Sequence, residues 1–331
     1  MFNISDIFDK YKKAKTPKAE EPKSEEVSVS SVVSRKLEEK NAGASLQLYE
    51  HSYRKIKDLY TGLSEGRLRS VSDMQRLSQE LMEAMQQEDS GFLKICFSDY
   101  PAMEDYLYYH VLNVCIISLK LTSGLGFDRV KKEELALSCL LHDIGLVKDL
   151  AIISKPRALT KEEYATVRLH PQSGCEILNR VEPKLSSAVL EAVSQEHERW
   201  DGSGYPRGLI ENEIVVNARI IGLADCFEAL THPRPHRKKF TSVEACKIVV
   251  DEKSSFEARL IKALFEKIGI FPVGTPVRLN TKELGTVLKT NEGSPLRPVV
   301  KVFYDVDGKE LKEPKLLDLS QSKVLFISEN I

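Results

Sequence analysis

The stretch Glu134–Gly145, ELALSCLLHDIG, carries the reading of the whole chain. An apolar run at helical spacing ends on His142 and Asp143, and such groups are costly to bury unless something satisfies them; a metal ion is one solution. Working outward, His110 interrupts the apolar helix pattern YLYYHVLNVCIISLKL (106–121), and His170 stands before Pro171 in VRLHP. His197 lies in EAVSQEHERWDGSGYP (191–206), and Asp225 sits inside the apolar ARIIGLADCFEAL (218–230). One such histidine is explained by a bond to a backbone carbonyl. Four of the chain's seven histidines, with two carboxylates in equally apolar settings, make that explanation much weaker.

The rest of the chain sets bounds. At 331 residues it exceeds what one compact core usually holds, so two domains, or one with appendages, are expected. Lys+Arg 48 against Asp+Glu 49 leaves no global positive charge to grip a nucleic-acid polymer or an anionic membrane. No run approaches the roughly 18 apolar residues of a membrane span. The six cysteines form no CxxC pair and fall in apolar helical patterns, which reads as buried, reduced thiols. With no signal-peptide pattern in MFNISDIFDKYKKAK, a cytoplasmic setting is expected. Walker and Rossmann glycine patterns are absent.

Four segments follow from pattern. Residues 1–30 read as an arm or linker, mostly disordered because TPKAEEPKSEEVSVS is too polar to offset its ordering entropy, with a short amphipathic start. Residues 31–95 read as a helical N-terminal unit, a hairpin broken at Gly62–Arg67, suited to packing, dimerisation or a protein partner. Residues 96–270 are predominantly helical. Residues 271–331 read as a small β-rich module, with Asp307-Gly308 as a hairpin turn.

In order, His110, the doublet His142-Asp143, the segment around His170, HERWDGSGYP and ADCFEALTHPRPHR resemble the HD-GYP family, a branch of the HD phosphohydrolase superfamily. The tail from PVGTPVRLN onward also resembles a module appended to many such proteins. The resemblance implies a mainly α protein, with an all-helical HD-type domain between a helical N-terminal unit and a small β appendage. It implies metal ions, iron or manganese, and hydrolysis of cyclic di-GMP. Carried over by motif, the ligands are His110, His142, Asp143, His170, His197 and Asp225, with Asp143 as the bridging, catalytic carboxylate.

Four positions depart from that pattern. Glu196 stands where the family has the first of two histidines, and is read as a substitute ligand. Leu146 replaces a lysine thought to touch the substrate phosphate, with Lys148 as a possible stand-in. Tyr106 occupies the glutamate position of three-metal members, so two metals are expected. Glu228 replaces an aspartate, while Arg234 and Arg237 are kept as candidate phosphate contacts. Gly204, Tyr205 and Pro206 are expected to support the pocket rim, and His51, His232 and His236 to be solvated or loop-bonded. The competing readings are a slow or inactive member that binds a cyclic dinucleotide and signals, and a phosphohydrolase for another nucleotide.

Overall fold

The computed structural model describes residues 43–67, 70–87 and 90–331. The expected arm at 1–30, and the residues up to 42 of the helical unit, lie outside them. The fold is mainly α with a small antiparallel sheet at the C-terminal end, as the sequence predicts.

Helices α1 (Gly43–Ser64) and α2 (Ser72–Gln87) each bury one stripe: Tyr49, Ile56, Leu59 and Tyr60 on α1, and Met74, Leu77, Leu81, Met82 and Met85 on α2. That three-and-four spacing is one helical face turned to a core. After α3 (Ser90–Cys96) comes α4 (Tyr106–Leu121), buried almost all round and therefore the central helix. Against it pack α5 (Arg129–Leu141) and α10 (Val216–Thr231). Between them run the 3₁₀ segment His142–Lys148, α6 (Leu150–Ile153), α7 (Lys161–Val167), α8 (His170–Val181) and α9 (Ser187–Gln195). Helices α11 (Ser242–Asp251) and α12 (Ala258–Lys267) close the bundle. The apolar side chains of α1 and α2 belong to the same buried cluster as those of α4, α5 and α10. All six cysteines are free thiols, five of them buried.

The strands β1 (Pro276–Leu279), β2 (Leu284–Lys289), β3 (Val299–Tyr304), β4 (Glu310–Asp318) and β5 (Ile327–Asn330) form one antiparallel sheet in the order β4-β3-β2-β1-β5. Val277, Leu279, Val287, Val300, Val302 and Leu319 form its own small core with Phe271. The β3–β4 turn is fixed by Asp305, whose Oδ1 accepts from the amides of Asp307 and Lys309. Gly308 supplies the left-handed φ of 76° that the turn requires.

Candidate metal centre

The helical part of the fold brings six of the seven candidate ligands together through adjoining contacts, and the seventh, Asp225, through His110. The 3₁₀ segment after α5 turns His142 and Asp143 inward, α4 presents His110, α8 starts on His170, the end of α9 supplies Glu196 and His197, and α10 presents Asp225. Two donor groups result, each with its ligand atoms within 4.8 Å of one another: Asp143 with His170, Glu196 and His197, and Asp143 with His110 and His142. Asp143 is common to both. Its Oδ2 lies 3.4 Å from His142 Nε2 and 3.6 Å from His110 Nε2, while its Oδ1 lies 3.4 Å from His170 Nε2. Asp225 Oδ1 is 3.1 Å from His110 Nε2 and its Oδ2 is 3.9 Å from His197 Nδ1. Glu196 reaches His170 Nε2 at 3.2 Å and His142 Nε2 at 3.7 Å, so it stands where the sequence placed a substitute ligand.

The outward nitrogens explain why the inward ones face the centre. His142 Nδ1 donates to the Cys139 carbonyl and His170 Nδ1 to the Val167 carbonyl, both at 2.7 Å, while His110 Nδ1 donates to Glu228 Oε2 at 2.5 Å. With Nδ1 protonated, each ring turns the lone pair of Nε2 inward, as a metal-ligating histidine does. His170 Nε2 and His197 Nε2 face each other at 3.1 Å. His142 Nε2 and Glu196 Oε2 are buried with no hydrogen-bond partner. Buried polar atoms are seldom left so, and a cation beside each, one in either donor group, satisfies them. The donors therefore fit divalent metal.

The electrostatics agree. Burial disfavours a charged Asp143, yet without a metal the facing His142, His170 and His110 rings gain protons, and their positive charge holds its carboxyl well below the usual range. Asp225 is likewise held low against burial by the hydrogen bond and charge of His110. Burial raises the Glu196 carboxyl. For His142 burial is outweighed by Asp143 and Glu196, so the site favours positive charge at that point, from a proton or a metal ion. Burial and the neighbouring His170 push His197 far down, leaving it the neutral imidazole that a metal binds.

Residues 70–260 match the HD domain family. The chain belongs to that family. Its tail, 276–331, matches the KOW domain associated with HD domain. A cyclic di-GMP phosphodiesterase of Pseudomonas aeruginosa is 35% identical over 221 residues, 66% of this chain and 53% of its own length. A 3'3'-cGAMP-specific phosphodiesterase of Vibrio cholerae is 32% identical over 159 residues, 47% of this chain and 30% of its own length. The chain thus spans about half or less of these curated relatives. An HDG"Y"P protein from Bdellovibrio bacteriovorus shares the fold, with a TM-score of 0.55 over 71% of this chain and 74% of its own at 17% identity.

HD domains hold divalent metal ions, and the buried cluster is where this one would hold them. Around it the remaining sequence candidates fall unevenly. Gly204 is forced: a methyl there would meet the Arg199 amide at 2.3 Å and the His197 carbonyl at 2.5 Å, so only glycine lets the loop lie on the ligand-bearing strand of chain. Tyr205 donates its amide to the His197 carbonyl at 3.0 Å and stacks on the His197 ring at 4.7 Å, and Pro206 follows it through a cis bond. Glu198, buried, accepts from the amides of Arg207 and Leu209 and pins the far side of the same loop. Asp201 caps its own turn, accepting from Ser203.

The basic candidates are not gathered into the cluster. Lys148 is well exposed and lies 3.9 Å from an exposed Glu176, and Leu146 is buried in the main apolar core. Arg234 is largely buried, 3.2 Å from Glu228 Oε2 and 3.0 Å from His110 Nδ1, with its guanidinium over the Tyr106 ring. Arg237 donates to the Ala229 and His232 carbonyls at the end of α10, and burial together with Arg234 pushes its pKa down to about 9. His232 is buried, not solvated, with Nε2 2.8 Å from the Cys96 carbonyl.

Sequence reasoning missed the role of Glu228. Fully buried, it contacts His110, Tyr100, Asn113, His232 and Arg234. His232, His110 and Arg234 together hold its carboxyl low in spite of burial. The signal was available: Glu228 follows Asp225 by one helical turn in the same apolar run, and the reasoning that singled out one carboxylate applies to the other.

Proposed function

We propose that this HD domain is a phosphodiesterase that hydrolyses cyclic di-GMP to pGpG, GMP or both, at a centre of two iron or manganese ions. The observation that carries the reading is Asp143, whose two oxygens serve two adjoining donor groups. Imidazole and carboxylate donors without a thiolate suit iron or manganese better than structural zinc. Three carboxylates, Asp143, Glu196 and Asp225, balance most of the charge of two divalent ions and leave a net positive centre for a phosphodiester. The names of the relatives supply the substrate class.

When bound, such ions lower the pKa of a water molecule and stabilise negative charge on the phosphate oxygens. The chain's own part is geometric. His110, His142 and His170 are fixed by their outward hydrogen bonds, Asp143 spans the two halves, and the Gly204–Pro206 turn covers His197 from one side. In this reading residues 96–270 carry the catalytic side chains and 271–331 form an appended β module, while the N-terminal helices, whose apolar stripes pack into the catalytic core, offer only their outward faces to a protein partner or a second copy, all in the cytoplasm.

The test is a product assay. The purified chain, loaded anaerobically with Fe(II) or separately with Mn(II), is incubated with cyclic di-GMP and the products are resolved by chromatography. Linear dinucleotide or GMP is expected, and Asp143→Asn should abolish it; full activity of that variant would overturn the site. A second reading, a dinucleotide-binding module with little turnover, is favoured by the placement of the cations: Leu146 is apolar, Lys148 faces Glu176, and Arg234 is committed to Glu228. Intact substrate beside a chain that holds two ions and binds the dinucleotide would establish it. Hydrolysis of 3'3'-cGAMP in preference would move the substrate assignment.

A further inference from the structure

One buried hydrogen-bonded path runs from the first described helix to the metal centre. Tyr49 on α1 donates its hydroxyl to Asn113 Oδ1 at 2.8 Å, and Asn113 Nδ2 donates to Glu228 Oε1 at 3.1 Å. Tyr100 donates to the same oxygen at 2.5 Å. The other oxygen, Oε2, accepts from His110 Nδ1 at 2.5 Å, and His110 Nε2 lies 3.1 Å from Asp225 and 3.6 Å from Asp143. The members come from α1, the loop before α4, α4 and α10. An aromatic stack runs beside the path: Tyr53 on Tyr109 at 4.5 Å, Tyr109 on Tyr100 at 5.7 Å, and Tyr100 on His232 at 4.9 Å.

A core with no other task would be better filled by apolar side chains than by a carboxylate with five polar neighbours, since desolvating such a group offsets much of what its contacts return. The arrangement makes sense if the orientation of His110 is what is being held. A carboxylate on the far nitrogen of a ligating imidazole fixes its tautomer and its angle and raises its basicity. Tyr49 and Asn113 do the same for the carboxylate, because a glutamate side chain left alone has several rotamers.

We propose that Glu228, Asn113 and Tyr49 are positioning residues for the metal centre, making α1 a working part of the His110 half of it. The inference rests on the two-ion reading above, though not on the identity of the substrate. It predicts an asymmetry: weakening the path loosens the ion held by His110 and His142, and leaves the ion held by His170, Glu196 and His197.

The test uses the full chain, stripped with chelator and titrated with Mn(II), followed by calorimetry and by electron paramagnetic resonance, with melting of the metal-free proteins alongside. The wild type should bind two ions and give the spectrum of a coupled pair. Glu228→Gln, which keeps shape and removes charge, should weaken one ion about 10- to 100-fold and give a single-ion spectrum at one equivalent. Tyr49→Phe, which keeps the ring stacked on Tyr109 and loses only the hydroxyl, should weaken the same ion about fivefold, with a lower melting temperature of the metal-free protein because Asn113 Oδ1 loses its donor. Should Glu228→Gln fail to fold, Tyr49→Phe decides. A wild type that binds a pair, with folded variants that bind it equally well, overturns this inference alone. A wild type that binds no pair overturns the two-ion reading and this inference with it.

Discussion

A methyl group on Gly145 would sit 2.0 Å from the carbonyl oxygen of His170 and 2.8 Å from the Gly174 amide. Two residues after Asp143, this glycine is what lets the start of α8 reach the 3₁₀ segment, and so brings His170 within 3.4 Å of Asp143. Gly145→Ala should therefore cost about 1–3 kcal/mol of stability by overpacking. It should also weaken metal binding, because the backbone that carries His170 must retreat; melting and a Mn(II) titration measure the two effects. Glu196 gives a second test at this scale. Fully buried between His142 and His170, it is the third carboxylate of the candidate centre, and Glu196→Gln keeps its shape while removing its charge. The expected outcome is a 10-fold or greater loss of metal affinity with the fold retained, read by calorimetry and circular dichroism. Glu196 and His197, in the polar stretch around them, rested on the family resemblance, while the candidates His110, His142, Asp143 and Asp225 were legible because each breaks an apolar run, where a histidine or aspartate must have a reason. The basic residues were not: whether Arg234 faces a substrate or a buried carboxylate depends on a turn in which its backbone pairs with Arg237, and no spacing rule reveals that.

At the scale of the element, α7 shows how a helix with no ligand serves the site. Thr160 caps it, accepting from the Glu163 amide at 3.2 Å while Glu163 returns a bond to the Thr160 amide at 2.9 Å. Glu163 also holds Lys155 at 2.5 Å and Arg157 at 2.7 Å, so the whole 155–163 connection is fastened to the first turn of the helix that leads to His170. Thr160→Ala should cost about 1 kcal/mol, the usual worth of an N-cap. Metal stoichiometry should not change, because neither donor group includes a residue of α7; a thermal melt with a metal assay checks both halves. The pattern Thr-x-x-Glu is visible in the sequence, as are the apolar stripes of α1 and α2. The nearly all-round burial of α4 was less legible, since a helix that is apolar on every side shows no face to point with.

For the molecule as a whole, the apolar cores divide where the function would. One cluster joins α1 and α2 to the helices that carry the metal donors, and a second, smaller one lies within the sheet. Between them run polar links, Lys267 with Glu292 at 2.8 Å and Asn330 donating to Ser242 at 3.1 Å, and a short apolar join in which Ile270 packs against both clusters and Val273 belongs to the larger one. A chain ending at residue 275, which keeps Val273, should therefore keep its helical content and both metal equivalents, with a modest fall in melting temperature. A chain starting at residue 70, where the family match begins, should behave differently. It loses Tyr49, Ile56, Leu59 and Tyr60, each no more than 5% exposed, whose burial at about 2 kcal/mol apiece is on the order of 8 kcal/mol. Against a domain margin of about 5–15 kcal/mol that loss leaves a protein that aggregates or melts below ordinary working temperature. Circular dichroism and metal content of the two truncations measure this directly. A stable, fully metallated 70–331 fragment would show that α1 is an ornament on the HD domain; the opposite result would mean that the working unit begins well before the motifs that reveal it.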